Sequence, residues 1–197
     1  MDIGGILNRA GASVADAIKG AADATGASFE YLLAAARAES AFNPQAASTT
    51  STARGLYQFT DQTWLATMKR SGASLGLGRY ADAIVENNGR FDVLDPALRR
   101  DILALRDDPT ANAALAGALT RDNAVQLGAR LGRAPRDSEL YIAHVLGSAG
   151  AAKLNSLTAV APSRRRTRHF RQRRKQIVRS FIIAAAVRAA WRRSTAC

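Results

Sequence analysis

Apolar positions recur at spacings of three and four almost throughout the chain, the period of helices lying against a core. In "SFEYLLAAARAE" (28–39) strong helix formers follow Ser28, which reads as an N-cap. "TDQTWLATMKRSG" (60–72) opens on Thr60 or Asp61 as cap and closes on Gly72, and "DPALRRDILALRDDP" (95–109) is bracketed by Asp95-Pro96 and Pro109. Farther on, "TANAALAGALTRDNAVQLGARLG" predicts one or two helices with Leu115, Leu119, Val125 and Leu127 as core contacts. "RDSELYIAHVLGSAG" predicts another, ending at Gly147. No alternating stretch is long enough to predict a strand, and "STTSTARG" and "SGASLGLGRY" read as loops. No internal repeat is present. The pattern predicts an all-α domain over residues 21–158, a peripheral or capping N-terminal helix over 1–20 ("ILNRAGASVADAIKGAA"), and an Arg-rich tail over 159–197.

Composition fits that division. At 197 residues and 47% hydrophobic, the chain is long enough for one domain with a proper core. No run of 18 apolar residues exists, and Asp2, Arg9, Asp16 and Lys19 interrupt any apolar core of a signal peptide, so neither a membrane span nor an ordinary export signal is expected. Cys197 is the single cysteine and only His144 and His169 accompany it, which excludes an intrachain disulfide and predicts no metal site; no cofactor is expected.

The net charge of +12 belongs to one end. Up to Pro162 the chain is balanced, whereas residues 163–197 carry twelve bases and no acid. Nucleic-acid binding by the whole chain therefore does not follow from its basicity, and no specific nucleic-acid partner is expected. The tail itself has two readings. Its arginines and "IVRSFIIAAAVRAAW" would suit an amphipathic helix on anionic lipid, with Phe181, Ile182, Ile183 and Trp191 on the apolar side, or nonspecific contact with a polyanion. Alternatively, the abrupt change at Ala161-Pro162 is what a shifted reading frame of a GC-rich gene would yield.

Candidate chemistry centres on Glu39. Leu32, Ala36 and Glu39 share one helix face, so the carboxylate follows the stripe that packs inward. Partial loss of hydration there would raise its pKa and suit it to general-acid work. The loop "SAFNPQAASTTSTARG" would surround a cleft with polar groups, Gly55 would admit close approach of backbone to a ligand, and Tyr57, Gln58 and Phe59 would offer aromatic and amide surface of the kind that binds sugars. Plainer readings compete: Glu39 as a solvated residue or as the ion-pair partner of Arg37 or Arg54, Phe42 and Trp64 as core anchors, Gly55 as a turn residue.

"ESAFNPQAAS" followed by "ARGLYQFTDQTW" resembles the soluble lytic transglycosylase (SLT) family of peptidoglycan-cleaving enzymes, whose pattern is Glu-Ser, a hydrophobic residue, Asn/Asp-Pro, a small-residue loop, Gly-Leu-x-Gln and a Thr-rich helix start. The resemblance implies a lysozyme-like helical fold, shared with goose-type lysozyme. Glu39 matches the family's single catalytic acid, which would protonate the glycosidic oxygen between N-acetylmuramic acid and N-acetylglucosamine. Ser40 matches the adjacent substrate-contacting hydroxyl; Gly55, Leu56 and Gln58 match the second motif, with Tyr57 replacing the usual methionine and altering a subsite contact. In "YIAHVLGSAGAAKL" Ala143 and Gly147 fit the third motif, Ala-Tyr-Asn-x-Gly, which is not intact, with His144 where tyrosine is usual, so its substrate-orienting role falls to His144, to Tyr141 or to neither; a His within an apolar helix is more often a hydrogen-bonded core residue. Asp61 reads as a capping residue rather than a second catalytic group. The resemblance implies peptidoglycan strands as partner, 1,6-anhydromuramic acid ends as product, and a periplasmic or envelope location despite the absent signal. The absent signal, rather than the resemblance, is what suggests a secretion or flagellar apparatus as a further partner. A lysozyme-type hydrolase and a non-catalytic glycan-binding module are the alternatives.

Overall fold

The computed structural model describes residues 13–160. Expectations for residues 1–12 and 161–197, which hold nearly all of the tail, fall outside those residues. By its internal contacts the chain divides into two units, Met1–Arg121 and Asp122–Cys197.

The described part of the first unit opens with α1 (Val14–Thr25), which a capping box starts: the Ser13 hydroxyl accepts from the Asp16 N–H, and the Asp16 side chain accepts from the Ser13 N–H. Gly26, at φ +73°, ends it. α1 runs unbroken through the predicted boundary at residue 20, and Ile18 is fully buried, so this helix is part of the core rather than an appendage. It packs against α2 (Phe29–Ser40), whose N-cap is Ser28 as predicted. α3 (Asp61–Ser71) is capped by Thr60 and stops at Gly72. Trp64, Leu65 and Met68 on its inner face are fully buried, and the indole N–H of Trp64 donates to the Ile102 carbonyl at 2.8 Å.

The stretch expected to be loop after α3 is mostly helical: a 3-10 turn (Ala73–Leu75) leads into the short α4 (Gly78–Ala83). A β-hairpin then follows where no strand was predicted. β1 (Ile84–Asn87) pairs antiparallel with β2 (Arg90–Val93), Asn87 opposite Arg90, around Asn88-Gly89 at φ +50° and +76°. That dipeptide is the strongest short hairpin signal there is. It was obscured because each strand has four residues and buries only its outermost one, Ile84 or Val93. The Gln62 side chain brackets β2 by accepting from the Phe91 N–H and donating to its carbonyl.

α5 (Pro96–Ala104) starts on an Asp95 cap with Pro96 in its first turn and continues as a 3-10 turn, Leu105–Asp107. α6 (Pro109–Leu131) is one helix, with Leu115 fully buried and Gly117 lying against Thr25 of α1.

In the second unit the described residues are the remainder of α6 and α7 (Asp137–Val160). Leu127, Ala143 and Ala151 form its core, with Leu131, Ile142 and Ala152 packed around them. Val125, expected inside, is 68% exposed. The helix expected to end at Gly147 runs on to Val160. Glu139 anchors the start of α7: Arg133 grips its carboxylate with two bonds, 2.7 and 2.8 Å, and the Arg136 N–H adds a third at 2.8 Å. These hydrogen bonds, Arg133 foremost, hold its pKa down to about 2. Because the folded value is the lower one, the stabilisation is complete above the ordinary carboxylate range and fades as pH falls toward 2. Glu139→Gln is accordingly expected to lower Tm at pH 7 and to lower it by less at pH 3, as thermal melts of the two proteins at both pH values would read.

Candidate active site

Glu39 sits on the last turn of α2, half-buried, beyond the fully buried Leu32 and Ala36 of the same face. The chain leaves the helix abruptly. Ala41 and Phe42 both adopt positive φ, +51° and +67°, a conformation that non-glycine residues rarely take and that costs about 1–3 kcal/mol each. What holds them is a set of backbone bonds to the helix end: Ala41 N–H to Arg37 O, Phe42 N–H to Ala36 O and Asn43 N–H to Ser40 O. The strain sits directly beside Glu39 and fixes the exit of the chain there.

Residues 54–59 form a tight turn. Arg54 and Phe59 exchange backbone hydrogen bonds of 3.1 Å each, the Gly55 N–H donates to Ala46 O, and the Gln58 amide nitrogen donates to both Ala46 O and Gly55 O. Gly55 at φ +83° and Gln58 at φ +49° supply the sharp reversals. Two bonds join this turn to α2. The Ser40 hydroxyl, lying 3.0 Å from Ala36 O, reaches Leu56 O at 2.9 Å, and the Tyr57 hydroxyl donates to Leu32 O at 3.0 Å.

These contacts revise several expected roles. Tyr57 is 1% exposed with its hydroxyl committed to α2, so it is a core residue and offers no subsite contact. Burial, and secondarily the neighbouring Tyr31, push its phenol well above its ordinary value. Phe59 is likewise buried, packed edge-on against Trp64, as a core anchor rather than a sugar platform. Gly55 makes its close approach to protein: a Cβ there would lie 2.0 Å from Arg106 O. Arg54, considered as a partner for Glu39, forms a two-bond pair with Asp107, whose hydrogen bonds raise the guanidinium's pKa. Phe42 is half-buried, and Gln58 faces into the turn it braces. Tyr57→Phe should cost about 1 kcal/mol by leaving Leu32 O without this partner, as urea or thermal unfolding of the two proteins would read.

Sequence reasoning missed the residues that grip the turn from its other side. Arg106 is 7% exposed, and its Nη1 lies within 2.7–3.2 Å of Asp61 Oδ1, Thr52 O and Phe59 O. Asn112 is fully buried; its side chain accepts from the Tyr57 N–H and donates to Arg106 O. The available signal for Asn112 was an amide inside the apolar run Ala111–Ala118, a position that demands hydrogen-bond partners. Asp61, first residue of α3, is drawn into this network by Arg106 and, at 3.6 Å, Arg99.

Tyr141 and His144 lie on α7 in the second unit, both half-buried, with their rings stacked at 6.3 Å between centroids. Residues 16–93, which hold Glu39, Ser40 and the entire 54–59 turn, match the family model for the transglycosylase SLT domain, and the mostly helical described residues fit an all-α, lysozyme-like fold.

Proposed function

We propose that the protein is a lytic transglycosylase that cleaves the N-acetylmuramic acid to N-acetylglucosamine bond of peptidoglycan, with Glu39 as acid and then base. The observation that carries this reading is the half-buried Glu39 on the last turn of α2, fixed by a strained helix exit and by the Ser40 bond to the Gly-Leu-Tyr-Gln turn, inside the SLT match.

Glu39 donates its proton to the glycosidic oxygen as the bond from the anomeric carbon breaks, leaving an oxocarbenium-like centre. The muramic acid 6-hydroxyl then attacks that carbon, and the Glu39 carboxylate takes the hydroxyl's proton. Glu39 ends protonated, as it began, and no water is consumed. A hydrolase would need a second carboxylate to activate water or to attack the sugar. Asp61, the carboxylate that follows the second motif, is engaged by Arg106 and Arg99, which supports a single-carboxylate mechanism. Ser40 and Gln58 act in this reading by holding the turn beside Glu39. Tyr141 or His144 is a proposed substrate-orienting residue, and the substrate implies work in the periplasm or envelope.

Mass spectrometry of muropeptides released from purified peptidoglycan tests the reaction. Anhydromuramic ends are expected; reducing ends would make the protein a lysozyme-type hydrolase, and an absence of products would make it a binding module.

A further inference from the structure

We propose that Arg106 and Asn112, which lie beyond the matched segment, are positioning residues of the Glu39 site: they fix the 54–59 turn, and through it the end of α2. This rests on the proposed function for its catalytic consequence, although its structural part stands on contacts alone. The turn is held on two sides. On one side Ser40 and Tyr57 tie it to α2 at Leu56 O and Leu32 O. On the other, Arg106 takes Thr52 O, just before the turn, and Phe59 O, at its end, while Asn112 takes the Tyr57 N–H within it.

Arg106 and Asn112 are themselves one unit, because the Asn112 amide donates to Arg106 O at 2.7 Å, the same oxygen against which Gly55 is pressed. The chain of contacts to the acid is short: Asn112 to Tyr57, the adjacent Leu56 to Ser40, and Ser40 next to Glu39 in sequence. Neither residue needs to touch substrate. A buried guanidinium is a costly way to pin a loop, since its desolvation must be offset by well-placed acceptors. It suits a loop whose exact position matters: Nη1 reaches Thr52 O and Phe59 O while Nε of the same rigid plane holds Leu103 O at 3.0 Å, two separate anchor points that a single ammonium nitrogen does not supply. A misplacement of about 1 Å around a reacting group can lower turnover about a hundredfold.

Arg106→Lys and Asn112→Ser in the full chain test this. Arg106→Lys keeps the charge opposite Asp61 and loses the fork; Asn112→Ser shortens the bridge to Tyr57. Hydrogen exchange is expected to quicken at least about tenfold in residues 54–59 and 39–43 of each variant, with the amides of α1 and the hairpin unchanged. On soluble glycan oligomers kcat should fall about tenfold or more while KM stays within about twofold. Unchanged exchange in both variants overturns the proposal, as does a uniform rise across the first unit, which would make the pair merely structural. Localised exchange with undiminished kcat in an active parent overturns it too. A parent that cleaves nothing refutes the catalytic reading instead, while the exchange pattern still decides whether the pair positions the turn.

Discussion

Glu39→Gln should reduce the release of anhydromuropeptides by about a thousandfold or more while leaving Tm within a few degrees of the parent. An amide is nearly isosteric with the carboxyl group, so packing at the end of α2 is preserved. What is lost is a titratable proton, and the proposed reaction uses that group twice, to protonate the leaving oxygen and to deprotonate the attacking one. General acid or base catalysis by one positioned group typically contributes about 10²–10⁴-fold, and its loss should fall on kcat. Chromatographic quantification of anhydro products over long incubations would measure the residue of activity. A variant within tenfold of its parent would remove Glu39 from the mechanism and turn attention to another carboxylate.

Gly55→Ala should be the most damaging conservative substitution in the first unit. Its φ of +83° is strained for any side chain, and the added methyl would stand 2.0 Å from Arg106 O and 2.4 Å from Asn112 Nδ2. Neither neighbour can swing aside, since one is backbone and the other is a buried amide bonded at both ends. Left-handed strain of about 1–3 kcal/mol and overpacking of similar size together give about 2–6 kcal/mol. That corresponds to a fall in Tm on the order of 10–25 °C for a unit of this size. Gly26→Ala is the control: its φ of +73° is similar, but no atom lies within 4 Å of the added methyl, so only about 1 kcal/mol is expected. Equal losses at the two positions, in urea or thermal unfolding, would show that the turn yields to accommodate the methyl and is not clamped.

The caps of α2, α3 and α5 could be read directly, or nearly so, because capping is a transaction among residues two or three apart. Ser28 finds the Tyr31 N–H, Thr60 the Thr63 N–H, and Asp95 the Ala97 and Leu98 N–H groups, each within the same few residues of sequence. The helical face that carries Glu39 was legible for a similar reason: the period of the helix sets which side chains share a side. The hairpin escaped notice although Asn88-Gly89 announced it, since strands of four residues with one buried position apiece leave no alternation to count.

The site divides the same way. From the sequence alone came Glu39, its neighbour Ser40, the Gly-Leu-Tyr-Gln-Phe turn and the all-helical setting. Tertiary structure alone decided that Tyr57 and Phe59 turn inward, that Gly55 is crowded by protein, and that Arg106 and Asn112 clamp the turn. Those bonds join residues 55 positions apart, as from Tyr57 to Asn112, or 47, as from Arg106 to Phe59. No local pattern encodes them, because a hydrogen bond between distant segments exists only once the core has set those segments side by side, and the sequence specifies that core through many weak apolar contacts rather than through any residue near the bond.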